Sequence, residues 1–175
     1  MTLSLLLLRH AKAADAATKD HERALAPRGQ SDSKKVARFM AASDLKPDIV
    51  LCSTAKRARL TLDAILSIWP DLPVSYEDGL YLAATADVIA HLRQVDQAQR
   101  VLIVGHNPTM EDLLRHLIDR QRPQDSTLAD ALSKYPAGAL AELSIDVERW
   151  SMLDASCGQL TGFTRPRTLI DLVTD

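Results

Sequence analysis

Leu3 to Leu8 reads LSLLLL and stops at Arg9-His10, and the same plan returns in RVLIVGH, Arg100 to His106. A short apolar run that breaks off at charge marks a strand buried on both faces, where helices cover each side and no alternating polar face is required. DIVLCS, Asp48 to Ser53, follows Pro47 and has the same character. Helical patterns lie between and after these runs, at about Arg28 to Met40, Ala55 to Trp69, Ala86 to Val95 and Pro108 to Arg120. A weaker strand is expected at Val74 to Glu77, with late strands at Ala139 to Asp146 and roughly Trp150 to Leu153, while Gln121 to Ser126 reads as a loop. Strand and helix alternate. The expected fold class is therefore α/β, a mostly parallel central sheet with helices on both faces and an antiparallel edge strand from the C-terminal part.

The bulk properties narrow the function. The 175 residues suit one domain spanning 1–175, with no internal repeat or long linker. Hydrophobic residues at 46% and charged residues at 25% are ordinary for a globular chain. A formal net charge of −2 argues against a general nucleic-acid partner, which would need a basic excess. Any anion site must be local. Cys52 and Cys157 lie far apart and lack metal-ligand spacing, so neither a disulfide scaffold nor a zinc cluster is expected, and a cytoplasmic location fits. The leading apolar run is too short for a signal segment, and nothing approaches the ~20 apolar residues of a span, so no membrane is expected.

In open α/β sheets, ligands bind outside the carboxyl ends of the strands. The first strand exits into Arg9-His10, the second at Ser53 ahead of Lys56, Arg57 and Arg59, and the third at His106 ahead of Asn107-Pro108. Each alone has a plain explanation: a polar strand end, solvated arginines, or a histidine bonded to its own backbone. Their placement at three exits is what points to an anion site. With Thr54 as cap, the second helix crowds cations into its first turns, against the dipole by ~0.3–1 kcal/mol each. A bound anion would relieve that, and removing Arg57 is expected to steady the ligand-free fold. Asn107 as cap and Pro108 as first residue would start the next helix. His21 in a polar loop, and His91 and His116 in helical patterns, read as packed or solvated. No histidine pair has helical metal-site spacing, no phosphate loop is present, and Cys52 reads as a buried thiol.

These residues together resemble the histidine phosphatase superfamily, the phosphoglycerate mutase-like family, and most closely its SixA-type phosphohistidine phosphatase branch. The resemblance rests on LLLLRHAKA (Leu5 to Ala13), RALAPRG (Arg23 to Gly29), DIVLCSTAKRARLTLD (Asp48 to Asp63), VLIVGHNPTMEDLL (Val101 to Leu114) and YPAGALAELSID (Tyr135 to Asp146). It implies a phosphoglycerate mutase-like fold with His10 as nucleophile and Arg9, Arg57 and His106 binding the phosphoryl group, without metal or cofactor. The chain shows no obvious room for the helical lid of larger relatives. An open site would suit a phosphohistidine-bearing carrier protein, of the phosphorelay or phosphotransferase type, which is the substrate that the resemblance to this branch implies. Glu77 and Asp78 precede Gly79-Leu80-Tyr81 without matching the place where many relatives keep a leaving-group acid. That favours phosphoramidates over sugar or alkyl phosphates.

His10 would attack as neutral imidazole, its ordinary pKa of ~6.5 leaving much of it neutral at pH 7, with a backbone carbonyl fixing its tautomer. His106 is expected to act as a protonated donor. Two other outcomes stay open: a broad phosphomonoesterase or mutase-like enzyme on a small phosphorylated metabolite, and a non-catalytic phosphate-binding adaptor.

Overall fold

The computed structural model describes residues 2–15, 19–119, 121 and 126–169. In chain order the elements are β1 (Leu3–Arg9), α1 (Pro27–Ala42), β2 (Ile49–Ser53), α2 (Lys56–Leu66), β3 (Val74–Glu77), α3 (Thr85–Arg93), β4 (Arg100–Gly105), α4 (Thr109–Leu117), α5 (Ser126–Ser133), β5 (Leu140–Ile145) and β6 (Gly158–Thr164). The six strands form one sheet in the order β3-β2-β4-β1-β5-β6. β1, β2, β3 and β4 are parallel; β5 runs against β1, and β6 turns back against β5. The antiparallel part is thus a pair of strands, and the outermost one returns to the sense of β1.

The continuous apolar runs now have a physical reason. Leu5 and Leu7 of β1 and Val101 and Ile103 of β4 join a core with α3, α4 and α5, while Leu6, Leu8, Leu102 and Val104 join a second core with α1 and α2. Both parities of each strand are buried, so the period-two signal of a half-exposed strand disappears. β4 lies between β1 and β2 with Arg9 opposite Gly105 and Cys52 opposite Val104. Three carboxyl ends therefore finish side by side.

Several expectations change at the C-terminal end. Residues 150–152 form a 3-10 turn instead of a strand, because the buried Trp150 ring turns inward and its Nε1 donates to the Ala98 carbonyl at 2.7 Å. The last strand is β6, whose sequence GQLTGFT carries two glycines, the residue type that strands disfavour, among its strand formers. Of the expected loop at Gln121 to Ser126, residues 122–125 lie outside the described residues, and Ser126 already begins α5. Neither expected cap forms. Ala55 stands at the start of α2 without a side-chain cap while Thr54 gives its hydroxyl to Asp78, and α4 begins after Pro108 while Asn107 Nδ2 donates to the Tyr135 carbonyl.

The segment leaving β1 is pinned against α1. Ala26 N–H donates to the Lys12 carbonyl at 2.9 Å, and a Cβ on Gly29 would stand 2.1 Å from that same oxygen. Only glycine lets the helix approach so closely. Gly29→Ala should therefore destabilise the protein by about 1–3 kcal/mol, as overpacking does, with a fall in melting temperature of about 2–4 °C per kcal/mol. A thermal melt checks this, and an unchanged midpoint would show that the contact carries no stability.

Candidate active site

The chain leaving β1 carries Arg9 and His10, and each is fixed by backbone geometry. His10 N–H donates to the Gly105 carbonyl at 2.9 Å, which continues the β1–β4 ladder past its last pair. Its ring Nδ1 lies 2.8 Å from the Ala11 carbonyl. A carbonyl only accepts, so the hydrogen resides on Nδ1 and the lone pair on Nε2. Arg57 Nε donates to that lone pair at 3.2 Å. One hydroxyl ties the two segments together: Thr61 accepts from Ala11 N–H at 3.0 Å and donates to the Arg57 carbonyl at 2.7 Å.

Arg9 donates through Nη1 to the Tyr135 carbonyl at 2.8 Å, and its buried Nε has no protein partner among the described residues. His106, at the exit of β4, is buried with its ring centroid 5.0 Å from that of His10. Its Nε2 meets the Ser53 hydroxyl at 2.8 Å, while Nδ1 has no protein partner among the described residues. Buried donors without partners are rare and ask for an explanation, of which an anionic ligand is one. The four residues expected from the sequence, Arg9, His10, Arg57 and His106, are thus brought together.

Burial sets the protonation of both imidazoles. Withdrawal from water lowers His10 to about 4; the bond to Ala11 opposes this, and the charges of Arg57, Arg9 and Arg23 add to it. His106 falls to about 3, again mainly by burial, with His10 and Arg57 as further causes. The expected protonated His106 is therefore corrected for the ligand-free protein, in which the ring is neutral.

The cluster has an outer layer that the sequence did not announce. Asp20, in a 3-10 turn at Asp20–Glu22, accepts from Arg57 Nη2 (3.0 Å) and from the Tyr81 hydroxyl (2.7 Å) on Oδ2, and from Arg23 Nη1 (3.2 Å) on Oδ1. Its backbone carbonyl accepts from Arg57 Nη1 at 2.7 Å. The Tyr81 hydroxyl bond, with those from Arg23 and Arg57, lowers Asp20 to about 2. The Tyr81 ring meets His106 edge-on at 5.5 Å and His21 at 4.8 Å. Arg23 and Tyr81 fall inside or beside recognisable stretches, but Asp20 stands in a polar loop whose one usable signal is its spacing of three residues from Arg23.

This layer reverses the expectation for Arg57. Its positive charge near the start of α2 is met by the Asp20 carboxylate, and two of its nitrogens brace the 20–22 turn, so its removal costs contacts instead of relieving repulsion. Lys56 and Arg59 lie elsewhere, lining a groove on the outer side of α2 with Tyr76 and Asp63. Glu77 engages Ser75 at 2.5 Å and His91 at 3.7 Å, and Asp78 accepts from Thr54 at 2.7 Å. His116 is exposed, and burial raises Cys52 to about 12, which fits an inert thiol. No cluster of three metal-ligating side chains occurs among the described residues.

Residues 5–81 match the histidine phosphatase superfamily (branch 1). An uncharacterized protein of Mycobacterium tuberculosis is 37% identical over 91% of this chain and the whole of its own length. Among solved structures, a putative phosphohistidine phosphatase SixA from Nakamurella multipartitia superposes with a TM-score of 0.84 at 31% identity, over 95% of this chain and 97% of its own. Its counterpart from Agrobacterium tumefaciens gives 0.80 at 30% identity, over 95% and 99%. The chain belongs to the histidine phosphatase superfamily, on the side of its SixA-type members, and is a hydrolase of that group.

The depressed imidazoles couple folding to pH. Between pH 6.5 and about 4 the unfolded chain binds protons at His10 and His106 that the native protein refuses, so native stability falls as the solution is acidified through this range. Denaturant melts from pH 7 to 4.5 should show that decline, and His10→Asn should flatten part of it. An equally steep decline in the variant would mean that His10 titrates normally in the native state.

Proposed function

We propose that this chain is a metal-independent phosphatase that removes the phosphoryl group from phosphohistidine on a carrier protein of the phosphorelay or phosphotransferase type. It would act in the cytoplasm as one histidine phosphatase domain over residues 1–175. The observation that carries the reading is the tautomer of His10: a neutral ring whose Nδ1–H is held by Ala11 and whose Nε2 lone pair faces the Arg57 guanidinium. An adaptor that only bound phosphate would need the arginines but no oriented, neutral imidazole.

In the first step the His10 Nε2 lone pair attacks phosphorus while the bond from phosphorus to the substrate's ring nitrogen breaks, its electron pair staying with the departing imidazole. Water then attacks phospho-His10, releasing phosphate and returning the lone pair to Nε2. Phosphoryl transfer passes through a loose transition state, so the protein's work is alignment and stabilising charge on the equatorial oxygens. Arg9 and Arg57 suit this because planar guanidinium forks match phosphate geometry. In the resting protein Arg57 Nε is bonded to the nucleophile itself. An arriving phosphoryl group competes for that hydrogen and frees the lone pair. In the tautomer in which Ser53 donates to Nε2 of His106, the ring hydrogen lies on the unpartnered Nδ1 and would be free to serve an oxygen of the anion.

A comparison of substrates decides between this reading and a phosphomonoesterase acting on small metabolites, and three further tests check the mechanism. Phosphate release should be faster from a histidine-phosphorylated protein than from p-nitrophenyl phosphate or sugar phosphates. His10→Ala should abolish it, and protein quenched in turnover should carry acid-labile, base-stable phosphate on His10. Preference for a sugar phosphate, or activity surviving in His10→Ala, would overturn the assignment. Chelation should leave turnover unchanged, whereas tungstate or vanadate should inhibit by occupying the anion pocket. Loss of activity with EDTA, restored by one divalent ion, would count against a metal-independent mechanism.

A further inference from the structure

Asp20 is a carboxylate at the mouth of a phosphate pocket, which is an odd place for fixed negative charge. It engages Arg57 Nη2 while its own carbonyl engages Nη1. A site selecting for the phosphoryl anion alone would gain from leaving those nitrogens free. The carboxylate is also firmly held, accepting from Tyr81, Arg57 and Arg23, yet its side chain is 50% exposed, against 8% for Arg57. A carboxylate offers about four acceptor positions, so one remains for a group arriving from solvent. It lies one guanidinium away from the His10 lone pair, because Nε of Arg57 touches His10 and Nη2 touches Asp20.

The chemistry of the leaving group gives that remaining position a use. A phosphorylated imidazole has a second ring nitrogen, and when this carries hydrogen the ring is cationic and departs as neutral imidazole. We propose that Asp20 is a specificity-determining residue that accepts a hydrogen bond from the second ring nitrogen of the phosphohistidine substrate. The inference rests on the phosphohistidine reading above. The balance is complete without a proton from the protein: His10 Nε2 bonds to phosphorus, the old phosphorus–nitrogen pair returns to the leaving ring, and the hydrogen facing Asp20 stays where it was. An alkoxide would need a proton delivered to oxygen. Asp20, kept ionised by its three donors, has none to give. The same side chain thus favours a cationic nitrogen leaving group and offers an alkyl phosphate nothing.

The test compares Asp20→Asn and Asp20→Glu with wild type on a histidine-phosphorylated protein and on p-nitrophenyl phosphate, whose leaving group departs unprotonated. The ratio of the two kcat/KM values on one preparation does not depend on the folded fraction. Asp20→Asn should lower that ratio about tenfold, the scale of one hydrogen bond to a charged group, and Asp20→Glu should recover part of it. On phosphohistidine the wild-type rate should also persist to higher pH than that of Asp20→Asn, since the carboxylate holds the leaving ring protonated. An unchanged ratio, whether both rates fall together or neither falls, would make Asp20 a brace for Arg57 and overturn the inference. Wild type that cleaves p-nitrophenyl phosphate but not the phosphohistidine protein would remove the reading beneath it, a result distinct from a failure of Asp20 alone.

Discussion

The parallel ladder between β1 and β4 governs the site more than any single side chain does. It sets Arg9 opposite Gly105 and lets the His10 N–H continue the pairing, so the backbone of His10 is fixed by the sheet. Everything local then follows from where the chain turns next. The Ala11 carbonyl is presented to His10 Nδ1, and Ala11 N–H reaches Thr61, whose hydroxyl in turn holds the Arg57 carbonyl. Arg57 and His10 come from segments 47 residues apart, yet one hydroxyl and one ring nitrogen couple their positions. Holding reacting groups this way is the larger part of what a phosphoryl-transfer enzyme must do.

The electrostatics form two shells of opposite sense. Inside, burial and neighbouring guanidiniums keep both imidazoles neutral, so the inner surface is basic in donors yet free of competing protons. Outside, Asp20 and its hydrogen bonds to Tyr81, Arg23 and Arg57 balance that positive charge. The whole chain carries a formal charge of −2, so the positive charge of this cluster is a local feature and not a property of the chain as a whole.

How much of this was legible in the sequence depended on the range of the interactions. LSLLLL and RVLIVGH gave β1 and β4 because burial on both faces leaves a direct imprint on composition, and the exits of those strands gave Arg9, His10 and His106. Arg57 followed from the second exit. β6 was not legible, since the two glycines of GQLTGFT interrupt any strand signal and its supports are tertiary: the ladder to β5, the bond from Asp119 N–H to the Gly158 carbonyl and the Tyr135–Phe163 ring contact. The turn at Trp150 departs from the expected strand because a large apolar residue suits a strand locally, whereas its Nε1 partner, Ala98, lies 52 residues away. Asp20 and Tyr81 were missed for the same reason: their meeting spans 61 residues, and nothing in either neighbourhood announces it. The capping roles of Thr54 and Asn107 failed because tertiary partners, Asp78 and the Tyr135 carbonyl, outcompeted the local backbone.

At rest, both nitrogens of His10 are engaged, one giving a hydrogen to Ala11 and the other receiving one from Arg57. A partly exposed imidazole with a free lone pair would otherwise be open to alkylating electrophiles and to stray transition-metal ions, which bind through that same lone pair. Arg57 acts here as a chemical sheath. A guanidinium gains little by leaving an imidazole nitrogen for a soft or neutral group and much by leaving it for anionic oxygens, so on the proposed reading the sheath would open to a phosphoryl group and stay shut to such intruders.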